Sequence, residues 1–137
     1  MSLKQKRKNN SIKKRKTRLN DLDFAFIAAN AANEKKGEDI VLLDVSKLTV
    51  ISDYFLIVTA KSSPQIEATS KHIEETLNNF SYHLISKEGF VGNTWIVLDF
   101  GNLVVHIMNE KERNYYKLEK FWSNATIIER KKWEKAS

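Results

Sequence analysis

The stretch Trp95–Met108, WIVLDFGNLVVHIM, constrains the fold of this chain most. Two alternating runs flank Gly101-Asn102, a two-residue turn with Gly at the first central position, as a type II′ turn prefers. With those two residues as the loop, Phe100 pairs with Leu103, Leu98 with Val105 and Ile96 with Ile107. Side chains alternate across a strand, so these six share one wholly apolar face, which must be core. The opposite face sets Asp99 beside Val104, Val97 beside His106 and Trp95 beside Met108. Core packing alone does not call for a carboxylate and an imidazole there. That face is either covered by a helix, with its polar groups satisfied, or offered to a partner.

The chain before the hairpin supplies the rest of a sheet. Asn20 or Asp21 can cap an Ala-rich helix through DLDFAFIAANAANEKK, which Gly37 would end. Ile40–Val45 and Tyr54–Thr59 are near-continuous apolar runs, as expected of strands covered on both faces. Ser63-Pro64 starts a helix, with Ser63 as cap and Pro64 at the first helical position, that runs to about Phe80 with Ile66, Ile73, Leu77 and Phe80 in one stripe. Tyr82–Ser86 is a third strand, and Gly89 and Gly92 break the chain before the hairpin strands Thr94–Phe100 and Leu103–Met108. Asn109 with Glu112 resembles a capping box for a helix Glu110–Trp122, with Tyr115, Leu118 and Trp122 on one side and Phe121 adjacent. The order is αββαβββα: an α/β fold with a mixed five-stranded sheet and flanking helices. The crossover rule makes the second and third strands parallel around the Ser63–Phe80 helix.

The 137 residues fit one domain, residues 20–124, with a tail at 1–19 and an extension at 125–137 that can form a short helix. Residues 1–18 hold nine cations and no acid: Lys4, Lys6, Arg7, Lys8, Lys13, Lys14, Arg15, Lys16 and Arg18. The remainder has 14 basic and 17 acidic residues, so the net charge of +6 belongs to the tail. Such a block is too polar to fold alone, and is expected to be disordered and to bind rRNA by releasing counterions from phosphates. It carries six Lys against three Arg and few large apolar residues, Leu3 and Ile12, whereas an organellar presequence is amphipathic and rich in Arg and Ser, so the expected location is the cytoplasm rather than an organelle.

Catalytic constellations are scarce. The chain has no Cys, so no disulfide or thiol chemistry is expected. No apolar run approaches a membrane span. The four Gly form neither a P-loop nor GxGxxG. The only D-x-D, Asp21 and Asp23, stands at a helix start, where acids favour the dipole. No His pair suggests zinc, and no metal or cofactor is expected. Asp44 and Asp53 read first as capping residues. His106 is either a satisfied histidine paired with a neighbour such as Asp99 or a binding residue. Trp95 stands out among the aromatic residues, because the core face of its strand is already full.

Asp44-Val45-Ser46, Asp53-Tyr54-Phe55, Ser62 and Gln65 lead into a longer pattern. It continues as Trp95, Leu98-Asp99, Gly101, Val104-Val105-His106, Arg113, Tyr116, Leu118-Glu119, Trp122 and Ala125. Over residues 22 to 125 or so, in one unbroken register, the chain resembles the ribosomal silencing factor family (RsfS, Iojap-like). The resemblance implies a sheet similar to that of nucleotidyltransferases without their catalytic motif. It implies a non-enzymatic translation repressor that binds ribosomal protein uL-fourteen on the large subunit and blocks joining of the small subunit. The implied contact surface is Trp95 and its hairpin, with Val97, Asp99, His106 and Met108 sharing the face. Asp44, Asp53, Arg113, Tyr116 and Glu119 match family positions with a partner-binding or structural role. A homodimer of the free protein is a further expectation. Where the family has T-G-x-S-x-R-Q, this chain has Thr59-Ala60-Lys61-Ser62-Ser63-Pro64-Gln65. The basic tail is not part of the family pattern. The alternatives are a metal-dependent nucleotidyltransferase-like enzyme using Asp44 and Asp53, and a general RNA-binding protein driven by the tail.

Overall fold

The computed structural model describes residues 18–135. The tail cations other than Arg18 therefore lie outside the described residues. Helix α1, Asp21–Glu34, starts with a reciprocal capping box: Asp23 N–H donates to Asn20 Oδ1 and Asn20 N–H to Asp23 Oδ2, both at 2.9 Å. It ends in a Schellman pair, with Gly37 N–H on the Ala32 carbonyl and Lys36 N–H on that of Asn33. Lys36, at φ 62°, takes the left-handed position that the sequence assigns to Gly37. Gly37 is required for space: a Cβ there would lie 2.7 Å from Val58 Cγ1 and 2.9 Å from the Ala32 carbonyl oxygen.

Strand β1 spans Glu38–Asp44, β2 Tyr54–Thr59, β3 Ser86–Gly89, β4 Trp95–Asp99, β5 Leu103–Met108 and β6 Thr126–Ile128. The sheet order is β3-β4-β5-β2-β1-β6. Only β2 and β5 pair in parallel; the other neighbours are antiparallel. The hairpin register is the one read from the turn: Ile96 faces Ile107, Leu98 faces Val105, and Trp95, Val97 and Asp99 face Met108, His106 and Val104. Gly101 takes φ 95°, as the first central position of a type II′ turn requires.

Four expectations change. The sheet has six strands rather than five, because Thr126–Ile128 adds to the outer edge of β1. The third strand starts at Ser86 rather than Tyr82; Tyr82 instead stacks between Phe24 and Phe100, with centroids at 4.1 and 5.7 Å, and donates its hydroxyl to Asp21. It does run parallel to β2, but at the far edge, with β4 and β5 between them. Helix α2, Ser63–Asn78, is capped by Ser62 rather than Ser63 and stops before Phe80, which is half exposed. The single helix expected at Glu110–Trp122 is two: α3, Glu110–Tyr116, and α4, Leu118–Phe121, separated by Lys117 at φ 48°.

The main core lies between the sheet and the two long helices. Ala25, Ala28, Ala29, Ala31 and Ala32 are fully buried, so α1 can approach closely; Ile66, Ile73 and Leu77 of α2 join Leu42, Leu56, Val58, Leu98 and Val105 of the sheet in the same cluster. A smaller cluster on the other face unites Leu43, Val45, Ile57 and Met108 with the partly buried Phe55, Trp95, Leu118 and Trp122. The segment 125–137, read from sequence as an extension, supplies β6 and a short α5, Arg130–Trp133. Trp133 is buried in the main core. The buried Asn30 of α1 donates to its carbonyl at 2.6 Å and accepts from Lys135 N–H at 2.9 Å.

Candidate functional site

Trp95 starts β4 immediately after a 3-10 turn, Val91–Asn93, whose Gly92 has φ 69°. Its indole is partly exposed and enclosed by three rings: Phe90 and Tyr116 at 4.9 Å and His106 at 5.8 Å between centroids. The indole Nε1–H donates to His106 Nδ1 at 3.1 Å. His106 is therefore held as an acceptor at Nδ1, and burial lowers its pKa from 6.5 to about 4. Phe55 meets the imidazole edge-on at 5.9 Å and Trp122 at 4.8 Å, which extends the aromatic set under the strand. Of the two readings of His106, the satisfied one has Trp95 as its partner rather than Asp99.

The neutral imidazole makes stability depend on pH. A histidine with a folded pKa below its unfolded value stabilises fully above the unfolded value and loses that contribution as pH falls toward the folded one. Going from pH 7 to pH 5 should cost about 2 kcal/mol through this group, from the two pKa values of 6.5 and about 4. Denaturant melts at both pH values should show the loss, and His106→Gln, which keeps an acceptor, should remove most of it. An unchanged slope in the variant would assign the acid sensitivity elsewhere.

The other residues of this face are placed differently. Met108 is fully buried in the smaller cluster, so it supports Trp95 from beneath rather than facing outward. Val97 and Asp99 are partly exposed, and Asp99 Oδ1 accepts the Gly101 N–H at 2.8 Å, fixing the hairpin turn. Asp44 Oδ1 accepts from the Ser46 N–H at 3.0 Å and the Ser46 hydroxyl at 2.6 Å, the capping expected of it. Asp53 binds through its backbone to Val45 and Asn102. After burial, Asp44, Asp53 and Asp21 together raise the pKa of the Tyr54 phenol. Among the described residues no group of three or more His, Asp or Glu could hold a metal ion.

Arg113 is a clamp. It is buried, its Nε donates to Glu119 Oε1 at 3.0 Å, and its Nη1 donates to Thr59 Oγ1 at 2.9 Å and to the Asp39 carbonyl. It ties α3 to the ends of β1 and β2, and so positions Tyr116 against Trp95. The divergent loop after β2 is also a junction: Gln65 accepts from Lys61 N–H at 2.6 Å and donates to the carbonyls of Lys35 and Lys36. Sequence reasoning did not single out Phe90. Its place between Gly89 and Gly92, five residues before Trp95, is the signal that the chain doubles back there.

A family model described as "Ribosomal silencing factor during starvation" (RsfS) matches residues 19–137. The chain belongs to the RsfS family. It is 34% identical over 111 residues to "Ribosomal silencing factor RsfS" of Bacillus subtilis, covering 81% of this chain and 94% of that protein. It is 39% identical over 108 residues to "Protein Iojap, chloroplastic" of Zea mays, covering 79% of this chain and 47% of that longer protein. Two crystal structures share the fold. One, from Chromobacterium violaceum, has a TM-score of 0.74 at 30% identity, covering 77% of this chain and 88% of the other. The second, from Bacillus halodurans, has a TM-score of 0.66 at 31% identity and covers 75% and 93%. RsfS proteins are ribosome-associated silencing factors of translation, a regulatory rather than a catalytic class. In this RsfS chain no helix of the described residues is long and apolar enough to cross a membrane.

Proposed function

We propose that this protein docks on the large ribosomal subunit through ribosomal protein uL-fourteen, and that its bulk there blocks joining of the small subunit. The observation that supports this reading is the Trp95 ring. It is partly exposed and held by Phe90, Tyr116 and His106, on the sheet face opposite a filled core. Trp and Tyr are enriched where interfaces concentrate their energy, and a prepositioned ring loses little freedom on binding. By this reading the protein acts by occupying a surface, in the compartment where its ribosomes assemble, the cytoplasm.

Sucrose-gradient sedimentation of purified subunits tests it. The protein should travel with the large subunit and lower the yield of joined ribosomes in proportion to its occupancy. Co-sedimentation with fully joined ribosomes would overturn the blocking step.

The basic tail is proposed to add an electrostatic attachment to rRNA. Deleting residues 1–18 should weaken large-subunit binding mostly at low salt and leave the melting temperature unchanged. Each phosphate that the deletion leaves without its Lys or Arg should flatten the log–log salt dependence by up to about 0.9 for duplex and about 0.7 for single strands. The same slope with and without the tail would remove it from the interface.

A further inference from the structure

The break between α3 and α4 opens a second aromatic site beside the Trp95 face. Lys117 takes a left-handed backbone at φ 48°, with its N–H capping the Arg113 carbonyl. A non-glycine residue in that conformation is uncommon, and here it turns α4 out of line with α3. Tyr115 and Phe121, expected from sequence to lie on or beside the packed side, are instead 77% and 79% exposed. With Tyr116, Lys117 and Lys120 they line a cleft of about 310 Å³. Three aromatic rings and two ammonium-bearing side chains therefore converge there without a carboxylate in the lining. Glu119, the acid within α4, is turned to Arg113.

We propose that this cleft binds an unpaired stretch of RNA, one base stacking on Tyr115 or Phe121 and the adjoining phosphates lying against Lys117 and Lys120. The composition separates this occupant from a protein one. Aromatic side chains serve both, but lysine is depleted at the centre of protein interfaces and favoured where a polyanion is held. Bases have an apolar π-face that any exposed ring can stack, and RNA presents them where strands are unpaired. Tyr115 is braced for this: its ring meets Tyr116 edge-on at 5.1 Å, and Tyr116 rests on Trp95. The inference deepens the ribosome-binding reading, since it supplies an RNA contact next to the proposed protein contact.

The test is the affinity of the full chain for a labelled short uridine oligonucleotide, by fluorescence anisotropy at fixed salt. The double variant Tyr115→Ser, Phe121→Ser keeps every charge, so any contribution of the basic tail is common to both proteins. Because both rings are exposed, the melting temperature should hold. The variant should bind the oligonucleotide at least about tenfold more weakly, with its affinity for a blunt RNA duplex unchanged. Equal oligonucleotide affinity would overturn the proposal, as would an equal loss on duplex. Normal oligonucleotide binding with impaired large-subunit binding would make the cleft a protein contact and overturn it too. The oligonucleotide assay contains no ribosomal subunit, so the two proposals fail separately: a parent protein that does not dock on the large subunit, yet binds the oligonucleotide and loses that binding in the double variant, would overturn the preceding proposal and leave this one standing.

Discussion

Replacing Trp95 by alanine is expected to weaken binding to the large subunit at least about thirtyfold, the equivalent of about 2 kcal/mol. The indole is partly exposed, and its position is set on three sides by Phe90, Tyr116 and the hydrogen-bonded His106. Truncation removes the ring and also unpins its neighbours. Some stability should go with it, because the ring also packs on the smaller cluster. The measurement is therefore made on protein shown to be folded at the binding temperature, by equilibrium titration of large subunits. A variant that melts early yet binds normally while folded would reassign Trp95 to the core.

Leu98→Ala should do the reverse, destabilising the fold by about 2–5 kcal/mol while leaving the affinity of the folded fraction near that of the parent. Leu98 is fully buried on the other face of the same strand, paired with Lys87 of β3 and Val105 of β5, within the core under α1 and α2. Pairing of β4 on both sides limits how far the surroundings can close on the void. Denaturant unfolding should show a lower midpoint with an unchanged slope. A loss below about 1 kcal/mol would mean that the core collapses into the cavity. Together the two variants separate the opposite faces of one strand into docking and packing.

The hairpin was legible because its information is local: alternation fixes the faces, and Gly101-Asn102 fixes the register. The caps at Asn20 and Asn109 were legible for the same reason. What escaped depends on distance or on permissive chemistry. Thr126–Ile128 is too short to show a period and exists as a strand only because β1 offers it an edge. Lys117 carries no sign of a left-handed backbone, so the sequence pattern runs on as continuous helix through the turn that exposes Phe121. Arg113 was legible as a matched position, but its work at Thr59 and Asp39 bridges more than 50 residues. The candidate face divides similarly. Its register followed from pairing, whereas the burial of Met108 and the turn-fixing role of Asp99 required the packed structure.

The Asn30 clamp has a consequence for how the molecule is made. Helix α1 is complete within the first quarter of the chain, yet the groups that seal it, the Trp133 carbonyl and the Lys135 amide, lie 103 and 105 residues downstream. Contacts of such separation form late, because most of the intervening chain must already be ordered. During synthesis the alanine-lined helix therefore stays open on that flank until Trp133 has cleared the ribosome that is making it. A stop codon or proteolytic cut just ahead of Trp133 would leave a hole in the main core, with the Phe26 carbonyl as the remaining partner of Asn30 beside it.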